Sequence, residues 1–269
     1  MYYPRARMSD LPGGLPCVSV GSGPPLVVFP GMSRAPVERA SNFAPLAHAT
    51  KRTVFVVDRP RGLERGTTMA DLAAMHASAL HARFPDPVDI LGGSTGGTIA
   101  LQLAVDHPSR VRRLVIAASA AWLGEHGRAA LRAYGDAIAA GRSGARILAP
   151  MLAPRWREWL MRPLLRLAER RERHVDPSVM LATIDAESAF DVRARLNEIT
   201  TPVLVIGGGR DRAFPTELLR ETAAGIPGAR LVIYPRCGHV GTMLHPRFGR
   251  DVSGFLNENA HQPVESVLG

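Results

Sequence analysis

A serine lies within a glycine-rich turn in the segment Val88–Thr98, VDILGGSTGGT. Gly92 and Gly96 flank Ser94 at two residues on either side, in the pattern G-x-S-x-G. A serine on a tight turn between a strand and a helix can act as a nucleophile, provided that its neighbours are too small to collide across the turn. The alternatives are an ordinary glycine-rich turn and a phosphate-binding loop, but the latter needs a lysine after its glycines and none follows here. The pattern therefore predicts a nucleophilic Ser94.

A serine hydroxyl is a weak nucleophile unless a base activates it and a third group orients that base. Of the nine histidines, His239 directly follows a late predicted strand, in LVIYPRCGHVG. Asp211 follows the preceding predicted strand, in PVLVIGGGRDRAFP. Taken singly, Asp211 has the alternative interpretation of a turn or helix-capping residue, and His239 that of an ordinary loop histidine. Their order after Ser94, with each residue at a strand end, predicts a catalytic triad.

Acyl transfer through a serine places negative charge on the former carbonyl oxygen, and N–H donors must meet that charge. We expect these donors to be the backbone N–H groups of Thr95, which follows the nucleophile, and of Met32, in the turn FPGMSR. Arg34 lies just beyond this turn. Its position and charge make it a weaker candidate for binding a carboxylate or phosphate group of the substrate.

Short apolar runs alternate along the chain with longer segments that have helical spacing. Continuous apolar runs without alternation are typical of strands buried on both faces of a sheet. They predict an α/β fold with a mostly parallel central sheet and helices on both faces. The predicted strands are Leu26–Pro30, Thr53–Asp58, Val88–Leu91, Val111–Ala117, Pro202–Ile206 and Ala229–Tyr234.

The alternation is interrupted between Ala120 and Asn197, a stretch much longer than a simple crossover connection needs. It carries helical patterns, for example at Arg128–Ala140 and Trp156–Arg173. We predict a helical lid over residues 120–197, inserted into a core made of residues 1–119 and 198–269. Seven arginines and three acids lie within 155–173, and we interpret them as a solvated helix face. The weaker alternative, from position and charge only, is that these arginines bind a carboxylate or phosphate group of the substrate.

Composition narrows the class of protein further. A chain of 269 residues, 46% hydrophobic, suits one large α/β domain. Its two cysteines indicate neither a metal site nor a disulfide framework, and no apolar stretch has the length of a signal peptide or a membrane span. We therefore expect a cytoplasmic protein that has no stable insertion in membranes and no metal ion. The oligomeric state is left open.

The net charge of +9 has two interpretations, a surface that attracts anionic partners or a compositional bias. Lys51 is the one lysine among 33 basic residues, which is typical of a GC-rich genome. Aromatic residues are sparse and not interleaved with the arginines. We therefore favour the bias and expect no nucleic-acid partner.

Taken together, four segments resemble those of the α/β-hydrolase superfamily, and they cover nearly the whole chain. The resemblance implies a lidded fold, a Ser-His-Asp triad and no cofactor. It implies a small-molecule substrate, namely a carboxylic ester, lactone or thioester, cleaved through an acyl-enzyme on Ser94. The Ser-Thr-Gly-Gly sequence is also similar to that of cofactor-free haloperoxidase-type esterases. The four segments are GSGPPLVVFPG, GGSTGGTIALQLAVDHPSRVRRLVI, ITTPVLVIGGGRD and YPRCGHVG.

The chain departs from the family pattern at three places. Pro30-Gly31 replaces the common His-Gly at the oxyanion turn, and Gly93 precedes the nucleophile where a side chain is frequent. The N-terminal segment is short and rich in proline, so we expect the outermost strands to be missing or irregular. Two further functions remain open: non-hydrolytic chemistry on the same scaffold, such as carbon–carbon cleavage, lyase chemistry or acyl transfer, and ligand binding by a catalytically idle member.

Overall fold

The computed structural model describes residues 7–33, 42–153, 157–172 and 175–258. Its strands are β1 (Arg7–Leu11), β2 (Leu15–Gly21), β3 (Pro25–Phe29), β4 (Thr53–Val57), β5 (Val88–Gly93), β6 (Val111–Ala117), β7 (Val203–Gly208) and β8 (Arg230–Tyr234). Its α-helices are α1 (Ala44–Thr50), α2 (Met69–Arg83), α3 (Thr95–Asp106), α4 (Gly124–Ala139), α5 (Ala145–Leu152), α6 (Glu158–Arg171), α7 (Ser178–Ala189), α8 (Thr216–Gly225), α9 (His239–Met243) and α10 (Phe248–Asn257).

The eight strands form one sheet in the order β1-β2-β4-β3-β5-β6-β7-β8. The pairs β1–β2 and β2–β4 are antiparallel, and all other neighbours are parallel. Every residue of β5 and β7 is buried, because helices cover both faces of a parallel sheet. The predicted α/β class with a mostly parallel sheet is confirmed.

Two hydrophobic layers hold the helices against the sheet. One layer includes Leu72 of α2, Leu103 of α3 and Leu219 of α8. The other includes Leu46 of α1 and Phe255 of α10. This arrangement aligns the C-terminal ends of β5, β7 and β8, with β6 between β5 and β7, along one side of the sheet, where the predicted site residues emerge.

The expectation of missing or irregular outermost strands was wrong. β1 and β2 form a regular antiparallel hairpin in which Leu11 pairs with Leu15. The turn between them contains Gly13 and Gly14, with φ of 82° and 73°, a left-handed conformation that glycine adopts without steric cost. The Gly-Gly pair between Leu11 and Leu15 was therefore the hairpin signal in a segment that looked unsuited to strands.

Helices α4, α5, α6 and α7 all lie between β6 and β7, and we call them the helical insert. The two predicted helical patterns correspond to α4 and α6, and the ends of the second pattern, Trp156 and Arg173, lie outside the described residues. Tyr134 and Ile138 of α4 pack with Met180 and Ile184 of α7 in a small separate cluster. That the insert acts as a lid, with the boundaries 120–197, remains a prediction.

Within the described ranges, every helix is too short or too polar to cross a membrane.

Candidate active site

Ser94 lies on a strained turn between β5 and α3. Its φ of 52° and ψ of −126° are unusual for a residue with a side chain. A Cβ atom on Gly96 would lie 1.9 Å from the carbonyl oxygen of Phe29, and one on Gly92 would lie 2.5 Å from the carbonyl oxygen of Gly96. Only glycine fits at either position, which is the steric requirement behind the sequence pattern.

We expect Gly96→Ala to destabilise the fold by about 3 kcal/mol, because the new methyl group must displace backbone in a packed turn. Gly254→Ala is the matched control, since a Cβ atom there meets nothing within 4 Å and alanine favours the helix. Urea unfolding of both variants measures the difference. Equal stability of the two variants would show that the turn tolerates a side chain.

Three predicted side chains meet at the C-terminal edge of the sheet. The Nε2 atom of His239 lies 2.9 Å from Ser94 Oγ, and its Nδ1 atom lies 2.9 Å from Asp211 Oδ2. The Asp211 and His239 side chains are almost completely buried. Ser94 is thus placed to donate its proton to His239, and His239 to donate its Nδ1 proton to Asp211.

The carboxylate of Asp211 is fixed from its other side. Its Oδ1 atom accepts hydrogen bonds from the backbone N–H groups of Ala213, at 2.8 Å, and Phe214, at 3.0 Å. These two bonds occupy one oxygen and leave Oδ2 for the imidazole. The turn before Asp211 requires glycine, since a Cβ atom on Gly208 would lie 2.5 Å from the carbonyl oxygen of Cys237.

The environment of His239 favours its protonated form. Burial opposes a positive charge, but the charge and hydrogen bond of Asp211, together with the charge of Glu187, raise the pKa of His239 above its ordinary value. The ring of Phe214 stacks on the imidazole at 5.9 Å between centroids. His239 is therefore suited to take a proton and hold it briefly.

The two residues predicted as oxyanion donors, Met32 and Thr95, border the same cavity as Ser94. Arg59, which sequence reasoning missed, donates hydrogen bonds to the carbonyl oxygens of Pro30, at 3.3 Å, and Gly31, at 3.1 Å. In a trans peptide the C=O and the following N–H point in opposite directions. The N–H of Met32 therefore points away from Arg59. Arg34 lies outside the described residues.

The cavity beside Ser94 has a volume of about 260 Å³. Its walls are mainly apolar, and the helical insert supplies many of them, including Leu131, Leu148, Leu165 and Met180. Helix α6 turns Leu165, Ala168 and Glu169 to this cavity. Among the described residues, the charged side chains that line it, apart from the titratable His239, are acidic, and the arginines of α6 are not part of its wall.

Glu187 of α7 is a second site residue that sequence reasoning missed. Its carboxyl is buried, lines the cavity and accepts a hydrogen bond from Thr95 Oγ1 at 2.9 Å. Burial raises its pKa to about 7, although the Thr95 bond and the charges of Arg59 and His239 oppose this shift. The helical segment LATIDAESAF contains two acids, Asp185 and Glu187, and its sequence does not show which of them is buried.

The raised pKa of Glu187 predicts that this carboxyl destabilises the fold at alkaline pH. Between its unfolded pKa of 4.5 and its folded pKa of about 7, the folded protein binds the proton more tightly, so stability falls as the pH rises. Glu187→Gln removes this titration. We expect the variant to be more stable than the wild type by about 2–3 kcal/mol at pH ~8 and by little at pH ~4.5.

Denaturant unfolding of both proteins across this pH range measures the difference. Burial also lowers the pKa of His76, to about 4. Because His76 is present in both proteins, its contribution cancels in the difference between their free energies of unfolding. A gap between the two proteins that stays constant with pH would contradict the prediction.

Comparison with known proteins identifies the family to which this chain belongs. A model of the alpha/beta hydrolase family matches residues 26–249. The pimeloyl-[acyl-carrier protein] methyl ester esterase of Neisseria meningitidis serogroup C is 32% identical over 181 residues, which are 63% of this chain and 69% of that protein. The esterase of the same name from Chromobacterium violaceum is 29% identical over 259 residues, 90% of this chain and 98% of that protein.

Solved structures show the same fold. A hydrolase from Pseudomonas aeruginosa aligns with a TM-score of 0.77 at 24% identity, over 94% of this chain and 98% of that one. The enol-lactonase from Burkholderia xenovorans aligns with a TM-score of 0.70 at 20% identity, over 94% and 100%. The chain therefore belongs to the alpha/beta hydrolase family, and it is an esterase-like enzyme of that fold.

Proposed function

We propose that this enzyme hydrolyses carboxylic esters through an acyl-enzyme on Ser94, with His239 as general base and Asp211 as the acid that orients it. The observation that carries the proposal is the continuous pair of 2.9 Å contacts from Ser94 through His239 to Asp211. Side chains far apart in the sequence make these contacts at the end of a mainly apolar cavity. Lactones and thioesters undergo the same chemistry and belong to the proposed substrate class.

In the first half-reaction, Ser94 Oγ attacks the ester carbonyl carbon while its proton passes to His239 Nε2. The oxygen of the tetrahedral intermediate takes the negative charge, which the N–H groups of Met32 and Thr95 would stabilise. The intermediate collapses when its bond to the alcohol oxygen breaks and His239 returns the proton to the leaving alcohol. The acyl group is then bonded to Ser94.

In the second half-reaction, water takes the place of the alcohol. His239 removes a proton from water, the hydroxide attacks the acyl carbon, and the bond to Ser94 Oγ breaks as the proton returns to Ser94. The products are a carboxylic acid and the free enzyme. No redox step is involved.

The walls of the cavity favour an acyl chain without a negative charge. Apolar side chains of the insert would bind it by burial, and the acidic residues of the wall would repel a carboxylate. The relatives from Neisseria and Chromobacterium are named for a methyl ester, which supports a small alcohol as the leaving group. The described arginines of α6 do not line the cavity. This argues against the expectation that they bind an acidic substrate there.

A substrate panel tests the proposed class. It comprises methyl esters of linear acids of increasing chain length, a lactone and an acyl-CoA thioester, with the products identified by mass spectrometry. We expect kcat/KM to rise with chain length and then fall at least ~10-fold once the chain exceeds the cavity. Products other than an acid and an alcohol would indicate non-hydrolytic chemistry, and no turnover in folded protein would indicate a binding protein.

A further inference from the structure

Glu187 occupies a position that the proposed reaction does not use. It belongs to the helical insert, yet its Oε2 atom bonds to the side chain of Thr95, the residue that follows the nucleophile. The residue is only 2% exposed. A buried acid is thus held beside the reacting centre by a contact that spans the insert and the core.

The second carboxyl oxygen of Glu187, Oε1, takes no part in the hydrogen bond with Thr95. Among the described residues, Oε1 has no hydrogen-bond donor as a partner, while the carboxyl lines the cavity. Oε1 is not enclosed by protein, so water or a ligand group in the cavity can donate a hydrogen bond to it. Leu131 and Met180, which line the same cavity, are apolar and have no donor to offer this oxygen.

A structural role does not account for this arrangement. The hydroxyl of Thr95 needs one acceptor, which an uncharged group provides at a lower desolvation cost than a carboxylate. A feature that costs stability beside a reacting centre is typical of a group kept for function.

We propose that Glu187 is a specificity-determining residue whose free carboxyl oxygen accepts a hydrogen bond from a hydroxyl or ammonium group of the substrate close to the scissile carbonyl, and whose charge excludes a carboxylate there. This inference rests on the proposed ester hydrolysis and deepens it. The substrate class becomes esters that carry a hydrogen-bond donor near the ester group.

Four methyl esters of similar size test the proposal: methyl butanoate, methyl β-hydroxybutanoate, methyl β-alaninate and monomethyl succinate. Their kcat/KM values are measured at pH ~8, above the pKa of Glu187 of about 7. We expect the hydroxyl and ammonium esters to exceed methyl butanoate by about 10-fold or more, and the carboxylate ester to fall below it.

Glu187→Gln keeps the size of the side chain and an acceptor for Thr95 but removes the charge. We expect the ratio of kcat/KM for the ammonium ester to that for the carboxylate ester to fall at least ~10-fold. Glu217→Gln is the matched control, because Glu217 is an exposed residue of α8 and the same charge is removed from the surface. Its ratio should equal that of the wild type.

An unchanged ratio in Glu187→Gln, with methyl butanoate still hydrolysed, would overturn this inference alone. A fall of the same size in Glu217→Gln would also overturn it, since net charge would then explain the preference. Absence of turnover of all four esters by the wild type would overturn the proposed function and this inference with it.

Discussion

Replacing Ser94 by alanine is expected to lower kcat for ester hydrolysis by about four to six orders of magnitude and to abolish labelling by a fluorophosphonate probe. Ser94 Oγ is the atom that would form the acyl bond, and its 2.9 Å contact with His239 Nε2 is the route by which its proton leaves. Without Oγ, the two proposed backbone donors, Met32 and Thr95, would still polarise a carbonyl group, and we expect this to set the small residual rate.

The fold should tolerate this change, so a loss of activity would report on chemistry. Alanine keeps the Cβ atom and meets the same strain at a φ of 52°. The backbone N–H of Ser94 still donates to the carbonyl oxygen of Ala117, at 2.9 Å. Ser253→Ala, on α10, is the control and should keep full activity and labelling. If Ser94→Ala retained turnover, the acyl-enzyme mechanism would be wrong.

The parts of the site that sequence predicted are those that depend on local sterics. Gly92 and Gly96 are required because the turn around Ser94 brings their backbones within contact distance of neighbouring carbonyl groups. Asp211 and His239 follow strands of apolar character, of which β7 is fully buried and β8 is partly buried at the end of the sheet. Parallel strands align their carboxyl ends, so the order of the residues was enough to predict that they meet.

Residues whose role depends on packing between distant segments could not be predicted. Glu187 meets Thr95 across 92 positions of the chain, and only the docking of α7 on the core makes that contact. Arg59 is one of many arginines, and nothing local shows that its guanidinium reaches the turn at Gly31. In both cases the sequence shows the type of side chain but not its environment, and the environment determines the pKa and the hydrogen-bond partner.

The helical insert illustrates the same limit. Periodicity predicted helices near α4 and α6, but it did not show which face of α6 would line the cavity. The arginines were interpreted as a solvated helix face, and the structure turns Leu165 and Glu169 to the cavity instead of the arginines. Arginine is costly to bury without a partner, and the described arginines of α6 are exposed.

The second large effect is expected from Asp211→Asn, which should lower kcat/KM about 10⁴-fold with little change in the fold. The backbone N–H groups of Ala213 and Phe214 donate to Oδ1, so the amide of asparagine must turn its oxygen toward them and its NH₂ toward His239. The Nδ1 atom of the imidazole then becomes an acceptor, and the ring proton moves to Nε2. That nitrogen can no longer accept the proton of Ser94.

The pH profile distinguishes this explanation from a general loss of structure. Asp211 raises the pKa of His239 against the effect of burial, so its replacement should move the acidic limb of kcat/KM to lower pH, because the base then stays neutral in more acidic solution. Asp185→Asn, which removes an exposed ion pair with Arg65 on the surface of α7, should leave both the rate and the profile unchanged. Since Asp211 acts through His239 alone in this scheme, a combined Asp211→Asn and Ser94→Ala variant should be no slower than Ser94→Ala by itself. A further loss in the double variant would mean that the carboxylate has a role that the hydrogen-bond chain does not explain.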